Sequence, residues 1–265
     1  MPAIITKDFR IHNARQFEES FGETADKYYL AIGRPQAFAN DQAFNDGTDA
    51  SPPTPVDDVG QVEYYAYDDF LSAKKIADSD VSLAIPRRNW ATGTVYDYYR
   101  HDYGDINSAG ATIAADSGAT SLYDATFYVM NSTFDVYKCI DNNGGANSTV
   151  EPSGNKSTSV FSTGDSYKWK YMYSLSASEQ ANFLSTDFMH VSTESSDFST
   201  TGGAIEHVKI TAGGSSGSNG TYTGVDIRGD GSSGKATVVV SSNAVTAVTI
   251  TTAGSGYTFA SIKAS

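Results

Sequence analysis

Gly229 through Lys235, GDGSSGK, fits the first seven positions of G-x-x-x-x-G-K-[ST], the loop whose backbone N–H groups cradle nucleotide phosphates. The eighth position must carry a hydroxyl to hold magnesium, and here it is Ala236. A phosphate loop also needs a helix behind it, because the helix N-terminus supplies aligned donors. Thr237, Val238, Val239 and Val240 follow instead, and β-branched residues favour a strand. A second match, GGSSG at 213–217, puts Ser215 at the centre of the G-x-S-x-G nucleophile pattern. That pattern requires a strand-to-helix turn, whereas SNGTYTG and another strand follow. In a Gly/Ser-rich run such a match arises by chance.

Other catalytic and metal-binding patterns are equally weak. The four histidines, His12, His101, His190 and His207, and the single Cys139 show no H-x-x-x-H or C-x-x-C spacing, so no zinc site is expected. No D-x-[DN]-x-[DN]-G calcium loop with a terminal Glu occurs. Paired carboxylates for glycoside cleavage are defined by geometry, and nothing in the spacing singles out a pair. No catalytic, cofactor-binding or metal-binding residue is assigned, and no small-molecule substrate is expected.

The most specific stretch is SLAIPRRNWATGTVYDYYRHDY, residues 82–103. Pro86 fixes its own φ and biases Ile85 to an extended conformation, so Arg87 and Arg88 leave the strand in a defined direction. Arg beside Trp90 and the tyrosines can stack and can bind carboxylates bidentately, the chemistry of anchored protein contacts. Ile85, Pro86, Arg87, Arg88 and Trp90 are therefore candidate protein-interface residues. The plainer alternative is that the arginines pair with the chain's own acid.

That acid is plentiful. The 265 residues carry a formal net charge of −13, which repels phosphate backbones and anionic lipid heads; neither nucleic acid nor membrane is an expected partner. No Lys or Arg lies between Arg34 and Lys74, while Asp41, Asp46, Asp49, Asp57, Asp58, Glu63, Asp68 and Asp69 do. This reads as a solvated acidic loop, with a docking surface for a basic partner as the alternative. Asp8, Arg10 and His12 interrupt any signal-peptide run, and no stretch of about 18 apolar residues occurs. A soluble, non-secreted chain is expected, with the sequons at Asn131, Asn147, Asn155 and Asn219 unused. One cysteine fits a reducing compartment.

Along the chain, Ile11, Ala14, Phe17 and Phe21 recur at helical spacing and stop at Gly22, which predicts an amphipathic helix over 8–22 with a glycine cap. KYYLAIGR, 27–34, reads as a short buried strand, 45–60 as a proline-rich surface loop, and 63–72 as a second short helix. From about 125, TFYVM, FDVYKCI, STSVFST, YKWKYMYSL and FMHVST read as strands, interrupted by a helical turn in SASEQANFL, 176–184. Near 203 the aromatics thin out and Gly, Ser, Thr and Val take over, which suggests a boundary between 1–203 and 204–265. The tail repeats itself: VKITAGG then GTYTGVDI is echoed by VTITTAG then GYTFASI. KATVVVSSNAVTAVTI between them predicts two strands joined around Ser241, Ser242 and Asn243.

YYLAIGRPQAF (28–38), LAIPRRNW (83–90) with its tyrosines, FDVYKCIDN (134–142) and TGDSYKWKYMYSL (163–175) occur in the order seen in the gene-eight baseplate wedge protein of T-even-like contractile-tailed phages. The chain resembles that family over roughly residues 5–192. The resemblance implies a mainly β protein with a few short helices (α+β) and a β-sandwich-like wedge core; the Gly-rich β-repeat module of 204–265 departs from the family's pattern. It implies a structural virion subunit of the tail baseplate, assembled in the host cytoplasm, with no enzymatic activity. Its implied partners are itself, as a homodimer, and other wedge proteins. A carbohydrate- or receptor-binding tail module is the alternative, suggested by the tyrosines and the Gly/Ser-rich tail, and a polysaccharide-degrading tail enzyme is a third.

Overall fold

The alternating aromatic and β-branched runs that begin near residue 125 become the central sheet of the protein, seen in a computed structural model that describes residues 7–25, 27–33, 48, 50–51, 70–107, 109–157, 159–192 and 202–262. β4 (Tyr128–Met130), β5 (Asp135–Asp141), β6 (Phe161–Ser162) and β7 (Lys168–Ser174) form one antiparallel sheet in the order β4-β5-β7-β6. A bulge between the pairs Val136↔Tyr173 and Tyr137↔Tyr171 lets Tyr171 and Tyr173, two residues apart, serve different cores. Tyr137, Cys139, Tyr167 and Trp169 pack with Tyr96 and Val129; Val136, Tyr173 and Leu175 pack with Met130 and Met189.

Short elements close this sheet. β3 (Ala84–Pro86) pairs antiparallel with β8 (Phe188–His190), and α2 (Ala177–Phe183) precedes β8. The helix starts with a capping box: the Ser176 hydroxyl accepts from Glu179 N–H, and the Glu179 carboxylate accepts from Ser176 N–H. The largely irregular run 97–127 has its own small core of Tyr103, Ala115 and Ala125.

The tail folds as the sheet β12-β11-β9, from β9 (Gly220–Asp226), β11 (Lys235–Ser241) and β12 (Ala244–Thr252), with a two-stranded pair of β10 (Arg228–Gly229) and β13 (Ala260–Ser261). Ser242 and Asn243 take positive φ of 52° and 63°, the two-residue turn whose twist suits a hairpin. Of the repeated runs, VTITTAG is in β12 and its following turn, whereas VKITAGG forms no strand.

The chain forms two compact units, Met1–Leu83 and Ala84–Ser265. In the first, α1 (Lys7–Ser20) runs into a turn in which Gly22 N–H donates to Glu19 O at 3.0 Å. β1 (Tyr28–Gly33) pairs antiparallel with β2 (Phe70–Ile76). Phe17, Phe21 and Tyr28 cluster, with Phe21 and Tyr28 rings 4.4 Å apart, and the Ser20 and Tyr28 hydroxyls lie 3.0 Å apart.

Two expectations fail here. The strand at 28–33 exists but is exposed, because among the described residues its sheet has only two strands and no second layer covers it. Residues 70–72 of the expected second helix belong to β2; the rest of that stretch, the proline-rich loop apart from 48, 50 and 51, and the eight acidic residues from Asp41 to Asp69 lie outside the described residues. The architecture is mainly β, with two α-helices among the described residues.

Candidate functional site

The glycine-rich loop wraps a side chain of its own chain. The Tyr257 hydroxyl accepts from Gly234 N–H at 3.1 Å and donates to Ile227 O at 3.0 Å. A Cβ at Gly231 would stand 2.4 Å from Tyr257 Cγ, and one at Gly234 would stand 2.8 Å from its hydroxyl. Asp230 reaches the other way, accepting from Thr258 N–H and hydroxyl and from Phe259 N–H. These bonds, the Thr258 hydroxyl's foremost, hold the Asp230 carboxyl down to about 2. β11 follows directly at Lys235, so a strand stands where a phosphate loop would have its helix. The glycines serve close approach of the backbone to an aromatic ring.

Ser215 lies in irregular chain beside the β11–β12 turn, where Gly217 N–H donates to Asn243 O and Val245 N–H to Gly213 O. The strand-to-helix turn of a nucleophile elbow is not what surrounds it. His207 and His190 each face one carboxylate, Asp141 and Glu179, at 3.2 Å. No group of three or more metal-ligating side chains occurs among the described residues. Cys139 is buried, and burial pushes its thiol well up, away from the reactive thiolate.

The segment from Ile85 to Trp90 is stitched into its own fold. Ile85 packs on the cluster around Met189, and Trp90 on the cluster around Trp169. Trp90 Nε1–H donates to the Ser148 hydroxyl at 3.1 Å, and Pro86 O accepts from the Tyr128 hydroxyl at 2.7 Å. Arg87 Nη1 donates to Ser185 O at 2.8 Å; Arg88 Nη2 donates to Tyr123 O at 3.0 Å and Asp124 O at 3.2 Å. The Arg88 guanidinium also lies 5.5 Å from the centre of the Tyr128 ring. Arg87 Nε also donates to Asn89 Oδ1 at 3.0 Å, so the hydrogen-bond partners of the two arginines are backbone carbonyls and one side-chain amide, not the carboxylates that net charge suggested.

Four buried or half-buried acids organise the turns around the central sheet, and none was singled out by spacing. Asp97, 0% exposed, accepts from the N–H and hydroxyl of both Ser117 and Thr126. Asp165 accepts from Thr149 and Val150 N–H and from the Ser148 and Thr163 hydroxyls. Asp135 accepts from Lys156 Nζ at 2.7 Å and from the Ser174 and Thr133 hydroxyls; burial raises its pKa, but these bonds outweigh it and the net shift is down. Asp141 is lowered strongly by His207, with Lys209 assisting against burial. A carboxylate surrounded by donors is a structural knot here, because its bonds end on turns of the same chain.

The feature least foreseen is the ribbon β1–β2. Leu30, 57% exposed, and Leu71, 59% exposed, lie on it with Tyr29, Ile32 and Phe70, all open to solvent. Ile11 and Phe17 of α1 are exposed as well. The alternation of apolar residues marks both elements in the sequence, but nothing in it says whether the chain itself covers them.

A family model described as bacteriophage T4, Gp8 matches residues 3–148, more than half of the chain. No curated protein and no solved structure matches.

Proposed function

From the premise that the chain belongs to the bacteriophage T4 Gp8 family and is a structural component of the baseplate wedge, we propose that it holds neighbouring wedge proteins together in a contractile tail, pairing with a second copy of itself and assembling in the host cytoplasm. The exposed apolar ribbon carries this reading. A two-stranded ribbon is at best marginally stable alone in water, and clustered exposed apolar side chains mark interaction sites. Here both features coincide inside the matched range. Assembly supplies the missing layer: neighbours cover Leu30, Ile32 and Leu71 and fix the ribbon.

The segment Ile85, Pro86, Arg87, Arg88 and Trp90 enters the proposal as a support that shapes a surface, since its side chains are largely engaged internally. The glycan-binding alternative gains nothing from the family.

The test is Leu30→Glu with Leu71→Glu. Sedimentation of the full chain, alone and with its wedge partners, is expected to show association weakened at least tenfold while the cooperative unfolding of 84–265 is retained. Unchanged association would sink the proposal.

A further inference from the structure

Groups from three other stretches of chain meet the side-chain amide of Asn142. Asn142 directly follows β5 and is 0% exposed. Its Nδ2 donates to Tyr96 O at 3.0 Å and to Asp116 Oδ2 at 2.6 Å. Its Oδ1 accepts from Lys209 Nζ at 2.8 Å. Lys209 Nζ also donates to Asp141 Oδ1 at 3.2 Å and stands 4.0 Å from the centre of the Tyr98 ring. The hydrogen bond from His207, with Lys209 assisting against burial, holds the Asp141 carboxyl well below the usual carboxylate range. One amide therefore has an amine on its oxygen side, a carboxylate on that amine and a second carboxylate on its nitrogen.

This spacing suits a reaction as well as a hydrogen bond. With a C=O bond of about 1.23 Å, a nitrogen 2.8 Å from Oδ1 stands about 3–4 Å from Cγ, close to the roughly 3–3.5 Å of a near-attack arrangement. The two acceptors on Nδ2 stop the amide plane from turning away. Burial of the amide keeps bulk water, the competing nucleophile, from its carbon. Asp116 is exposed, which opens a route for a departing nitrogen and for protons exchanged with solvent.

We propose that Lys209 and Asn142 join in an isopeptide bond that the folded chain forms by itself. Asp141 takes one proton from Lys209 Nζ, and the freed lone pair attacks Asn142 Cγ. Nζ gives up its second proton after the attack, and the Cγ–Nδ2 bond breaks as Asp116 relays a proton to Nδ2. The two protons lost by Nζ equal the two that turn the amide NH2 into ammonium. An alkylammonium and a primary amide thus give a secondary amide and free ammonium, with no oxidant or activated co-reactant. The bond joins positions 67 residues apart and makes permanent a seam otherwise held by ion pairs, Glu206 to Lys170 and His207 to Asp141. It locks the tail segment to the central sheet against salt and against pulling.

Intact-mass spectrometry of the full, folded chain tests this. The parent is expected to be lighter than its sequence by the mass of one ammonia. Tryptic mapping is expected to yield a branched peptide joining Asn142 to Lys209, with no cleavage after Lys209. Lys209→Arg keeps the charge but is expected to retain full mass and give only linear peptides. Asp116→Asn is expected to slow the cross-link about 100-fold or more, the scale of general acid–base catalysis. A folded parent that keeps its full mass overturns the proposal. So does ammonia loss without the branched peptide, the outcome that a succinimide at Asn143–Gly144 would give. The parent's own mass is read without any variant. If Asp116→Asn does not fold, the parent held unfolded in urea replaces it: full mass is expected there, and cross-linking in urea overturns the proposal.

Discussion

The hydroxyl of Tyr257 accepts the N–H of Gly234 at 3.1 Å and donates to the carbonyl of Ile227, so one side chain closes the loop that most resembles a nucleotide site. Tyr257→Phe leaves both backbone groups buried and unpaired, an expected loss of about 1–3 kcal/mol in urea unfolding. Gly231→Ala is expected to cost more, because its Cβ would overlap the ring. ATP or GTP at millimolar concentration should leave the melting temperature unchanged, whereas binding at 100-fold excess over Kd would add about 2.7 kcal/mol.

Arg88 bridges two consecutive carbonyls, Tyr123 O and Asp124 O, 35 and 36 residues downstream. Arg88→Ala is expected to lower stability by about 1–3 kcal/mol, and Arg88→Lys to rescue little, since an ammonium lacks the planar fork that stacks and reaches both acceptors. Arg87→Ala should cost under about 1.5 kcal/mol, the loss of two exposed hydrogen bonds, to Ser185 O and Asn89 Oδ1. Thermal melts of the variants, read beside sedimentation, separate the roles: weakened association with an unaltered melt would make these arginines direct interface residues.

Deleting 204–265 should leave 1–203 folded. Ile227, Ala236 and Tyr257 form a core with Ile205, Val248, Ile250 and Ile262, all within the deleted segment. The named ties to the central sheet, Glu206 to Lys170 and His207 and Lys209 to Asp141, are polar. Circular dichroism of the truncated chain should retain strand signal and a cooperative melt, with a lower midpoint from the lost ion pairs. A non-cooperative melt would show that the tail completes the core.

Asp135 makes an acid-sensitivity prediction. Its folded pKa is depressed, so its bonds with Lys156, Ser174 and Thr133 contribute fully above the unfolded value of about 3.9 and are lost as pH falls through the lower folded value. Asp135→Asn is expected to cost about 1–3 kcal/mol at neutral pH and to flatten the acid limb of the stability profile below about pH 4. Chemical unfolding at a series of pH values measures both.

The sequence by itself determined the strands of the central sheet, the helical turn that becomes α2, the Ser242–Asn243 hairpin, the strand after Lys235 and the family resemblance. These follow from period, β-branching and turn chemistry, which act between near neighbours. What only tertiary structure decided is what each feature meets. The glycines of 229–234 surround a ring 23 residues beyond Gly234, and Asp141 meets His207 66 residues away. Arg88 ends on backbone carbonyls, acceptors that every residue carries and that no residue type announces. The strand at 28–33 shows the same limit from the other side. Its apolar residues are plain in the sequence, yet burial depends on a covering layer, and among the described residues the chain supplies none, so Leu30 and Ile32 face solvent.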